Sequence, residues 1–442
     1  MSSTIVIGAG ISGLSFAHFS KKPCIVLEKE ETAGGLCRSV IQNGFTFDAS
    51  GHFLHLHHGW TERLVRKLLD DNLAAIRRNS AIFTNRTFVP YPFQANLYHL
   101  PTKIKKECLL SFIERPSPAN ADANFLQWSR ATFGSGITRH FMQPYNEKLW
   151  TVSARRLTAD WTAPFVPKPS LADLIEGALT DRTKQFGYNT RFFYPAHGGI
   201  QALVNALGRK KNIRYNTNVR AINIKNKYVE TNAGDRLHFD TLVSTQPLYQ
   251  LLDSINGLPA AVTTAREKLD WNSVTCINLG VRRATRAPVA GGRHWVYFPE
   301  KEYPFYRAGV YSNILPSLAP RGCASFYIET SRRPGKRASL EELYERARKG
   351  LLKCGFLGAA DRIETIQFAD IPCAYVIYDK HRAAAVETIQ KFLAAHNIHS
   401  IGRYGAWKYS FMEESITNAA TLADREGQDE GEIVGILNNP SP

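Results

Sequence analysis

Three glycines and one acid near the start of the chain have the types and spacing of a dinucleotide-binding site. Gly8, Gly10 and Gly13 follow a short apolar strand, and Glu28 ends the next apolar run. Gly8 permits a tight turn, Gly10 lets the backbone approach a pyrophosphate, and Gly13 lets a helix pack closely on the strand. The helix N-terminus would hold the pyrophosphate, and Glu28 would accept the ribose hydroxyls. The pattern therefore predicts a strand, turn, helix and strand that bind a dinucleotide.

A second glycine loop follows Glu28 and indicates which dinucleotide the chain binds. Its sequence is Gly34-Gly35-Leu36-Cys37-Arg38-Ser39. A glycine pair followed by an arginine resembles the second FAD-contact loop of the amine oxidase-like flavoproteins. Simple NAD dehydrogenases lack such a loop. We therefore predict FAD as the tightly bound cofactor.

Composition and charge fit an enzyme of two or three domains. The 442 residues are 44% hydrophobic and 11% aromatic, enough for a large core. The formal net charge is +16, which could indicate a nucleic-acid or membrane footprint. However, the basic residues are scattered and no nucleic-acid motif accompanies them. We interpret the charge as a surface that attracts anionic substrates, and we expect no nucleic-acid partner.

The sequence also carries signals about compartment. No apolar run is long enough to cross a membrane, and the predicted first strand begins too close to Met1 for a signal peptide. Seven cysteines are scattered without a CxxC pair, which is typical of free thiols in a reducing compartment. We therefore expect a cytoplasmic protein without disulfides or a zinc site.

Four histidines between Gly51 and Gly59 allow a metal interpretation, which we do not favour. They lie on a predicted loop that has no carboxylate or thiolate at ligand spacing, so we predict no metal. Gly51 and His52 instead suit a loop beside the isoalloxazine ring of the flavin. For His55 and His58 we predict ordinary hydrogen bonding.

The remaining pattern predicts an α/β fold: a Rossmann-like FAD-binding domain with an inserted helical domain and a second sheet, which the family resemblance given below implies is an antiparallel β-sheet substrate domain. Helical periodicity dominates 103–175, with Pro144 expected to break a helix before Tyr145. Alternating strands return at 219–244, and a strand of the second sheet is expected at 310–312. The predicted divisions are FAD-binding pieces at 1–82, 187–248 and 385–428, a helical and loop substrate domain at 83–186, a sheet substrate domain at 249–384 and a flexible tail at 429–442.

Five further motifs resemble those of the UDP-galactopyranose mutase family, especially its eukaryotic-type branch. They are VPYPFQAN at 89–96, FMQPYNEKLW at 141–150, WVY at 295–297, PFYR at 304–307 and GRYGAWKY at 402–409. The resemblance runs nearly from end to end, with variable spacers. It implies a flavin-dependent mutase that interconverts pyranose and furanose forms of a UDP-sugar without net redox change. Reduced FAD would act through N5 as the nucleophile at the anomeric carbon.

The resemblance also implies roles for individual residues. Arg307 matches a diphosphate clamp, a role that suits a planar guanidinium better than an ammonium group. The implied catalytic residues are His52, Arg307, Tyr375 and Tyr409. The implied substrate-binding residues are Tyr91, Gln94, Phe141, Asn146, Trp150, Trp295, Tyr297, Arg307, Tyr375 and Tyr409. Together with the glycine motifs it gives the cofactor-binding residues Gly8, Gly10, Ile11, Ser12, Gly13, Glu28, Lys29, Gly35, Leu36, Arg38, Ser39, Gly51, His52, Val219, Gly402, Arg403 and Tyr409.

Two positions depart from the pattern of this family. The family carries a second arginine on a mobile flap, where this chain has Phe165. It also carries a tyrosine shortly after the clamp arginine, where this chain has Ile314. Lys168 is a candidate substitute for the arginine. We therefore expect uridine recognition to be better kept than the full set of diphosphate contacts.

Three classes of function are left open by the sequence. The first is the UDP-sugar mutase, with a role in cell-surface polysaccharide synthesis, NAD(P)H as a candidate external reductant and a homo-oligomer as a candidate assembly. The second is an FAD oxidoreductase of the amine oxidase or protoporphyrinogen oxidase type on another substrate. The third is a non-catalytic FAD-binding protein. The aromatic residues expected around uridine favour the first.

Overall fold

The computed structural model describes residues 3–117, 122–163, 165–181, 183–187, 189–336 and 339–427, so the predicted tail at 429–442 lies outside the described residues. The strands are β1 (Thr4–Ile7), β2 (Cys24–Leu27), β3 (Ser39–Gln42), β4 (Phe45–Asp48), β5 (Ala74–Arg77), β6 (Ser80–Thr84), β7 (Thr87–Pro90), β8 (Arg191–Tyr194), β9 (Ile213–Arg214), β10 (Val219–Asn223), β11 (Tyr228–Thr231), β12 (Arg236–His238), β13 (Thr241–Ser244), β14 (Trp271–Arg282), β15 (Trp295–Tyr297), β16 (Arg307–Val310), β17 (Cys323–Arg332), β18 (Arg362–Val376) and β19 (Ile398–Ser400).

The α-helices are α1 (Ile11–Phe19), α2 (Gly59–Leu68), α3 (Thr102–Ile113), α4 (Phe125–Ile137), α5 (Gln143–Trp150), α6 (Leu171–Leu179), α7 (Gln201–Gly208), α8 (Leu248–Asp253), α9 (Ala260–Glu267), α10 (Tyr311–Ile314), α11 (Leu340–Lys353), α12 (Arg382–Ala394), α13 (Gly402–Gly405) and α14 (Met412–Gly427). A π-helical turn, Thr138–Met142, joins α4 to α5. None of the helices in the described ranges is both long and apolar enough to span a membrane.

The nucleotide-binding part is a parallel sheet with β1 at its centre. The strand order is β19-β13-β1-β2-β9, and every neighbouring pair is parallel. All four residues of β1 are buried, as expected for the central strand of a sheet covered on both faces. Three residues separate the end of β1 from the start of helix α1, which packs against α14. The predicted Rossmann-like arrangement is confirmed.

A second, larger sheet forms the opposite side of the molecule. Its order is β18-β14-β17-β16-β15-β6-β7, and its neighbours are antiparallel except for the parallel pair β6–β15. Its inner strands bury apolar residues such as Ile277 and Phe326 against α11 residues including Leu351. Helices α3 to α6 form the inserted helical part between β7 and β8. The predicted fold class is therefore confirmed, with one parallel pair inside the second sheet.

Two local predictions are wrong. Pro144 does not break a helix before Tyr145, because it is the second residue of α5 and follows directly on the π-helical turn Thr138–Met142. The π-helical turn directly before it widens the helix and makes room for the ring. The strand expected at 310–312 is also wrong, because β16 ends at Val310 and α10 begins at Tyr311. The Tyr311 hydroxyl donates to the Ser50 carbonyl at 3.1 Å, a tertiary bond that no local pattern shows.

Candidate functional site

One continuous cavity of about 1170 Å³ joins the two halves of the fold. One end is lined by the glycine turn after β1, including Gly8, Gly10 and Glu28. The other end is lined by residues of the large sheet and the helical part, including Tyr297 and Phe141. Ligand cavities usually measure about 300–1000 Å³, so this one has room for a dinucleotide and a second ligand.

The glycine turn leaves open space next to the start of α1. A side chain at Gly13 would place its Cβ 2.0 Å from the Gly8 carbonyl oxygen, so Gly13 allows the helix and the turn to touch. By contrast, the nearest protein atom to a Cβ at Gly10 is the Gly34 carbonyl oxygen, 3.9 Å away. The Gly34 N–H donates to the Ala9 carbonyl at 2.9 Å, which holds the two glycine loops face to face. The space beside Gly10 is a backbone-lined cradle at a helix N-terminus, which suits an anion.

Polar groups around this cradle fit the ADP half of FAD. Both Glu28 carboxylate oxygens accept backbone N–H bonds, from Ala9 at 2.8 Å and Glu30 at 3.0 Å, and these fix the carboxylate on the cavity wall. The Arg38 guanidinium lies 3.7 Å from Glu28. Its Nε is buried without a hydrogen-bond partner among the described residues. A ribose on Glu28 and a phosphate near Arg38 would satisfy these groups.

The loop after β4 places a neutral histidine on the same wall. Burial lowers the pKa of His52 to about 4, so the imidazole is uncharged at neutral pH. Its Nδ1 lies 3.2 Å from the Ser50 carbonyl oxygen, which can only accept, so Nδ1 carries the proton and Nε2 is an acceptor. A Cβ at Gly51 would lie 2.9 Å from the Tyr327 ring, so glycine lets this loop pack on β17.

Asp48, at the end of β4, is a buried acid on the cavity wall. It accepts hydrogen bonds from the Ser39 hydroxyl at 2.6 Å and the Tyr194 hydroxyl at 2.8 Å. Burial raises the pKa of Asp48 to about 7, although these bonds act in the opposite direction. The carboxyl group therefore changes charge near neutral pH.

We expect Asp48 to make the folded protein less stable as the pH rises from about 4 to about 7. An acid with a raised folded pKa binds its proton more tightly when folded, so its stabilising contribution is complete below the unfolded pKa and is lost as pH rises through the folded pKa. A shift of about three units corresponds to a loss of roughly 4 kcal/mol. Urea unfolding at pH 4.5 and pH 8 should show this loss in the wild type and not in Asp48→Asn. Equal pH dependence in both proteins would contradict it.

Aromatic rings form the wall at the other end of the cavity. The Tyr297 ring lies 5.5 Å from that of Tyr91 and 5.3 Å from that of Tyr145, measured between centroids. Phe141 stacks on Tyr145 at 5.4 Å with an interplanar angle of 19°. Gln94 donates through Nε2 to the Pro167 carbonyl at 2.5 Å, while its buried Oε1 has no partner among the described residues. A planar ring with a donor on its edge would fit between these groups.

Arg307 forms a buried two-bond pair with Glu329. Its Nε and Nη2 donate to the two carboxylate oxygens at 2.6 and 2.7 Å. The residues lie directly opposite each other on β16 and β17. Burial disfavours the charge of Arg307, but Glu329 outweighs this effect and the pKa of the guanidinium is raised well above its usual value. Nη1 takes no part in the pair, so one edge of the guanidinium can bind a ligand.

Arg403 holds two tyrosines side by side on the cavity wall. Its guanidinium carbon lies 5.1 Å from the centre of the Tyr375 ring and 4.9 Å from that of Tyr409. It also donates to the Ser410 carbonyl at 2.6 Å and the Ala374 carbonyl at 3.2 Å. Burial raises the pKa of Tyr375 to about 12, so its hydroxyl remains a donor at neutral pH. The guanidinium of Arg403 is engaged with backbone carbonyls and the two rings, so the hydroxyls of Tyr375 and Tyr409 are the groups left to bind a ligand here.

Most of the predicted site residues line this one cavity. Besides those described above, the wall includes Ile11, Ser12, Lys29, Gly35, Leu36, Asn146, Val219 and Trp295. The predicted residues placed behind the wall are Gly13, Ser39, Trp150 and Gly402. Trp150 is fully buried and donates through Nε1 to the Asn146 side-chain oxygen at 3.2 Å. It therefore supports Asn146 from behind, and the structure gives it no direct place on the cavity.

The two departures from the family pattern differ in their positions. Phe165 is on the cavity wall, with its ring 4.5 Å from that of Tyr409. Ile314 is buried in α10 and is not a wall residue. Lys168 lies with its ammonium 5.7 Å from the Trp128 ring, away from the wall, so nothing places it as a substitute arginine.

Sequence reasoning missed several wall residues, among them Tyr145, Tyr306 and Glu329. Tyr145 and Tyr306 lie inside quoted motifs. Tyr145 follows Phe141 by four residues, a spacing that places both on one helix face. No sequence motif pointed to Glu329, because its contact with Arg307 depends on how β16 pairs with β17.

The histidine-rich loop is held by the carboxylate of Glu413. Backbone N–H groups of His57 and His58 both donate to Glu413 at 2.8 Å, and His57 Nδ1 lies 3.0 Å from the same carboxylate. Within the described ranges, no group of three or more His, Cys, Asp or Glu side chains is placed to hold a metal ion.

The family of the chain follows from comparison with known proteins. A model of flavin-containing amine oxidoreductases matches residues 11–362. The chain belongs to the flavin-containing amine oxidoreductase family. The cofactor that this family implies is FAD, and the glycine cradle, Glu28 and Arg38 described above fit it.

Solved structures extend this comparison over the whole chain. A crystal structure of reduced UDP-galactopyranose mutase matches with a TM-score of 0.90 and 28% identity, covering 96% of this chain and 95% of that one. The resemblance to a mutase within the amine oxidase-like superfamily is therefore confirmed. A putative protoporphyrinogen oxidase from Exiguobacterium sp. 255-15 matches with a TM-score of 0.76 and 17% identity, covering 96% of this chain and 98% of that one, which shows the shared fold alone.

A curated relative matches only part of the chain. The inactive all-trans-retinol 13,14-reductase of Danio rerio is 38% identical over 182 residues. The match covers 40% of this chain and 27% of the length of that protein.

Proposed function

We propose that this protein is a flavin-dependent mutase that interconverts the pyranose and furanose forms of a UDP-sugar. The observation that carries the proposal is the aromatic wall of Tyr91, Phe141, Tyr145 and Tyr297, which lies in the same cavity as the glycine cradle. Uracil is planar and has hydrogen-bonding edges, which suit this wall. The likeness to reduced UDP-galactopyranose mutase supports the same ligand class.

Different residues of the cavity would bind the substrate and the cofactor. When bound in its reduced form, FAD would supply the nucleophile for the anomeric carbon. Arg307 would bind the diphosphate through Nη1, because Glu329 already occupies the other edge. The hydroxyls of Tyr375 and Tyr409 would donate to the same group. His52 would keep its loop in place through Ser50 and offer Nε2 as an acceptor.

The decisive experiment is UDP binding to the purified flavoprotein, oxidised and then reduced with dithionite, followed by flavin absorbance. We expect UDP to bind and to perturb the flavin spectrum. A panel of UDP-hexopyranoses under reducing conditions should then yield one furanose product with no stoichiometric consumption of reductant. Absence of UDP binding in both redox states would overturn the proposal.

An FAD oxidoreductase acting on another substrate is the second candidate function. Phe165 favours it, because an aromatic ring stands on the wall where a mutase would carry a second cation. An oxidase would produce hydrogen peroxide or reduce an acceptor, whereas a mutase would do neither. For the mutase, NAD(P)H remains a proposed external reductant, and its oxidation by the flavoprotein can be followed by absorbance.

Replacing Phe165 by arginine is expected to tighten UDP binding about tenfold. The new guanidinium would stand beside Tyr409 and form a charge-assisted hydrogen bond to the diphosphate, worth roughly 1.5 kcal/mol. Phe165→Leu is the matched control, since it removes the ring without adding charge. The dissociation constant of UDP from flavin absorbance is the measurement. A constant equal to that of the control would show that the diphosphate does not lie near this position.

A further inference from the structure

Lys148 is a half-buried cation that the site described above does not use. It belongs to α5, the helix that places Tyr145 and Asn146 on the cavity wall. Its ammonium nitrogen donates to four backbone carbonyls of one loop. These belong to Phe298 at 2.7 Å, Glu300, Tyr303 at 3.0 Å and Phe305 at 3.4 Å.

The loop that surrounds the ammonium group connects two parts of the candidate site. It begins directly after Tyr297, the last residue of β15, and ends just before Tyr306 and Arg307, where β16 begins. Lys148 therefore ties the helix that carries part of the aromatic wall to the loop that leads into Arg307, the residue proposed to bind the diphosphate. No other described lysine has contacts to this set of carbonyls.

The chemistry of this carbonyl cage requires a compact cation. Four oxygens converge on one point, and an ammonium group can share three N–H donors among them. A neutral amine would turn its lone pair toward oxygen atoms, and a planar guanidinium would not fit a point-like cage. Burial lowers the pKa of Lys148, while Glu300 and Glu302 act in the opposite direction and favour the charged ammonium form. Removing the cation would leave several buried carbonyls without donors, which is costly.

We propose that Lys148 is a positioning residue that fixes the distance between the aromatic wall on α5 and Arg307, and that its carbonyl cage binds a small monovalent cation when the lysine is removed. The choice of UDP as a probe rests on the proposed function. The cation-binding part of the inference does not.

The test uses the FAD-loaded protein with Lys148→Ala, in buffers of equal ionic strength that contain ammonium, potassium or tetramethylammonium. We expect UDP affinity to fall at least tenfold in tetramethylammonium, with the flavin retained, and to recover in ammonium or potassium. The unfolding temperature should rise with the same two cations. Lys105→Ala is the matched control, because Lys105 is a lysine of α3 that donates to one carbonyl, that of Tyr98.

Further variants keep the inference falsifiable. Lys148→Met fills the cage with an apolar chain and should show weak UDP binding that no cation restores. If Lys148→Ala does not fold, Lys148→Gln retains two N–H donors without charge and should fold with weakened UDP binding. Unchanged UDP affinity in either variant that folds, or no specific effect of ammonium or potassium on Lys148→Ala, would overturn the proposal. If the wild type fails to bind UDP, the proposed function fails, whereas the cation effect on unfolding still tests the cage.

Discussion

Arg307→Ala is expected to weaken UDP binding about 10- to 100-fold and to destabilise the fold at the same time. The binding loss follows from the removal of charge-assisted hydrogen bonds to the diphosphate, worth roughly 1.5–3 kcal/mol. The stability loss follows because Glu329 is fully buried and would lose its partner. Breaking a buried ion pair by removing one partner costs about 3–5 kcal/mol. Urea unfolding and UDP titration measure the two effects separately.

A double variant separates these effects within one experiment. Arg307→Met combined with Glu329→Met removes both charges, so no buried carboxylate is left unpaired, and stability should largely recover. The affinity for UDP should remain as low as in Arg307→Ala. If the double variant binds UDP as tightly as the wild type, Arg307 does not bind the diphosphate, and its ion pair with Glu329 has only a structural role.

The second large effect concerns two alanine substitutions, one at Gly10 in the glycine turn and one at Gly13 in the first turn of α1. Gly10→Ala should leave the apoprotein as stable as the wild type, because its new methyl group meets no protein atom closer than 3.9 Å. The same methyl group would occupy the approach of the pyrophosphate, and overpacking of roughly 1–3 kcal/mol corresponds to about 10- to 100-fold weaker FAD binding. FAD content after gel filtration and unfolding of the apoprotein measure the two quantities.

Gly13→Ala is the matched comparison. Its methyl group would lie 2.0 Å from the Gly8 carbonyl oxygen and 3.2 Å from the Val6 side chain, so both the apoprotein stability and the FAD content should fall. Full retention of FAD by Gly10→Ala would mean that no phosphate lies against this turn. An apoprotein as stable as the wild type in Gly13→Ala would contradict the close packing of α1 on the turn.

The sequence was most informative where structure depends on local rules. The strand, glycine turn, helix and strand at the start of the chain follow from backbone conformation and short-range pattern, and they are present. The position of Tyr145 on the cavity wall could also have been predicted from the sequence. Phe141, Tyr145 and Leu149 are four residues apart, which places them on one face of a helix, and all three line the cavity. Trp150 lies off this helix face. It is four residues after Asn146, and this helical spacing places it next to that side chain.

Features that depend on pairing between distant strands could not be predicted in this way. Glu329 faces Arg307 because of the register of β16 against β17, and neither the residue types nor their spacing in the sequence predicts that register. The four carbonyls around Lys148 belong to backbone atoms, which carry no sequence signal at all. The start of α10 at Tyr311 depends on hydroxyl contacts to carbonyls more than 250 residues away in the chain.

The parallel pair β6–β15 has a consequence for the order in which the protein is assembled during synthesis. Ile82 on β6 pairs with Tyr297 on β15, so the hairpin must wait for roughly 200 further residues to leave the ribosome. Strand β1 likewise acquires its neighbour β13 only at Thr241 and the next strand, β19, at Ile398. Contacts so distant in sequence form slowly, and they leave strand edges exposed until the partners arrive. The wall of the cavity includes Arg403 and Tyr409, so it can be completed only after almost the whole described chain has been synthesised.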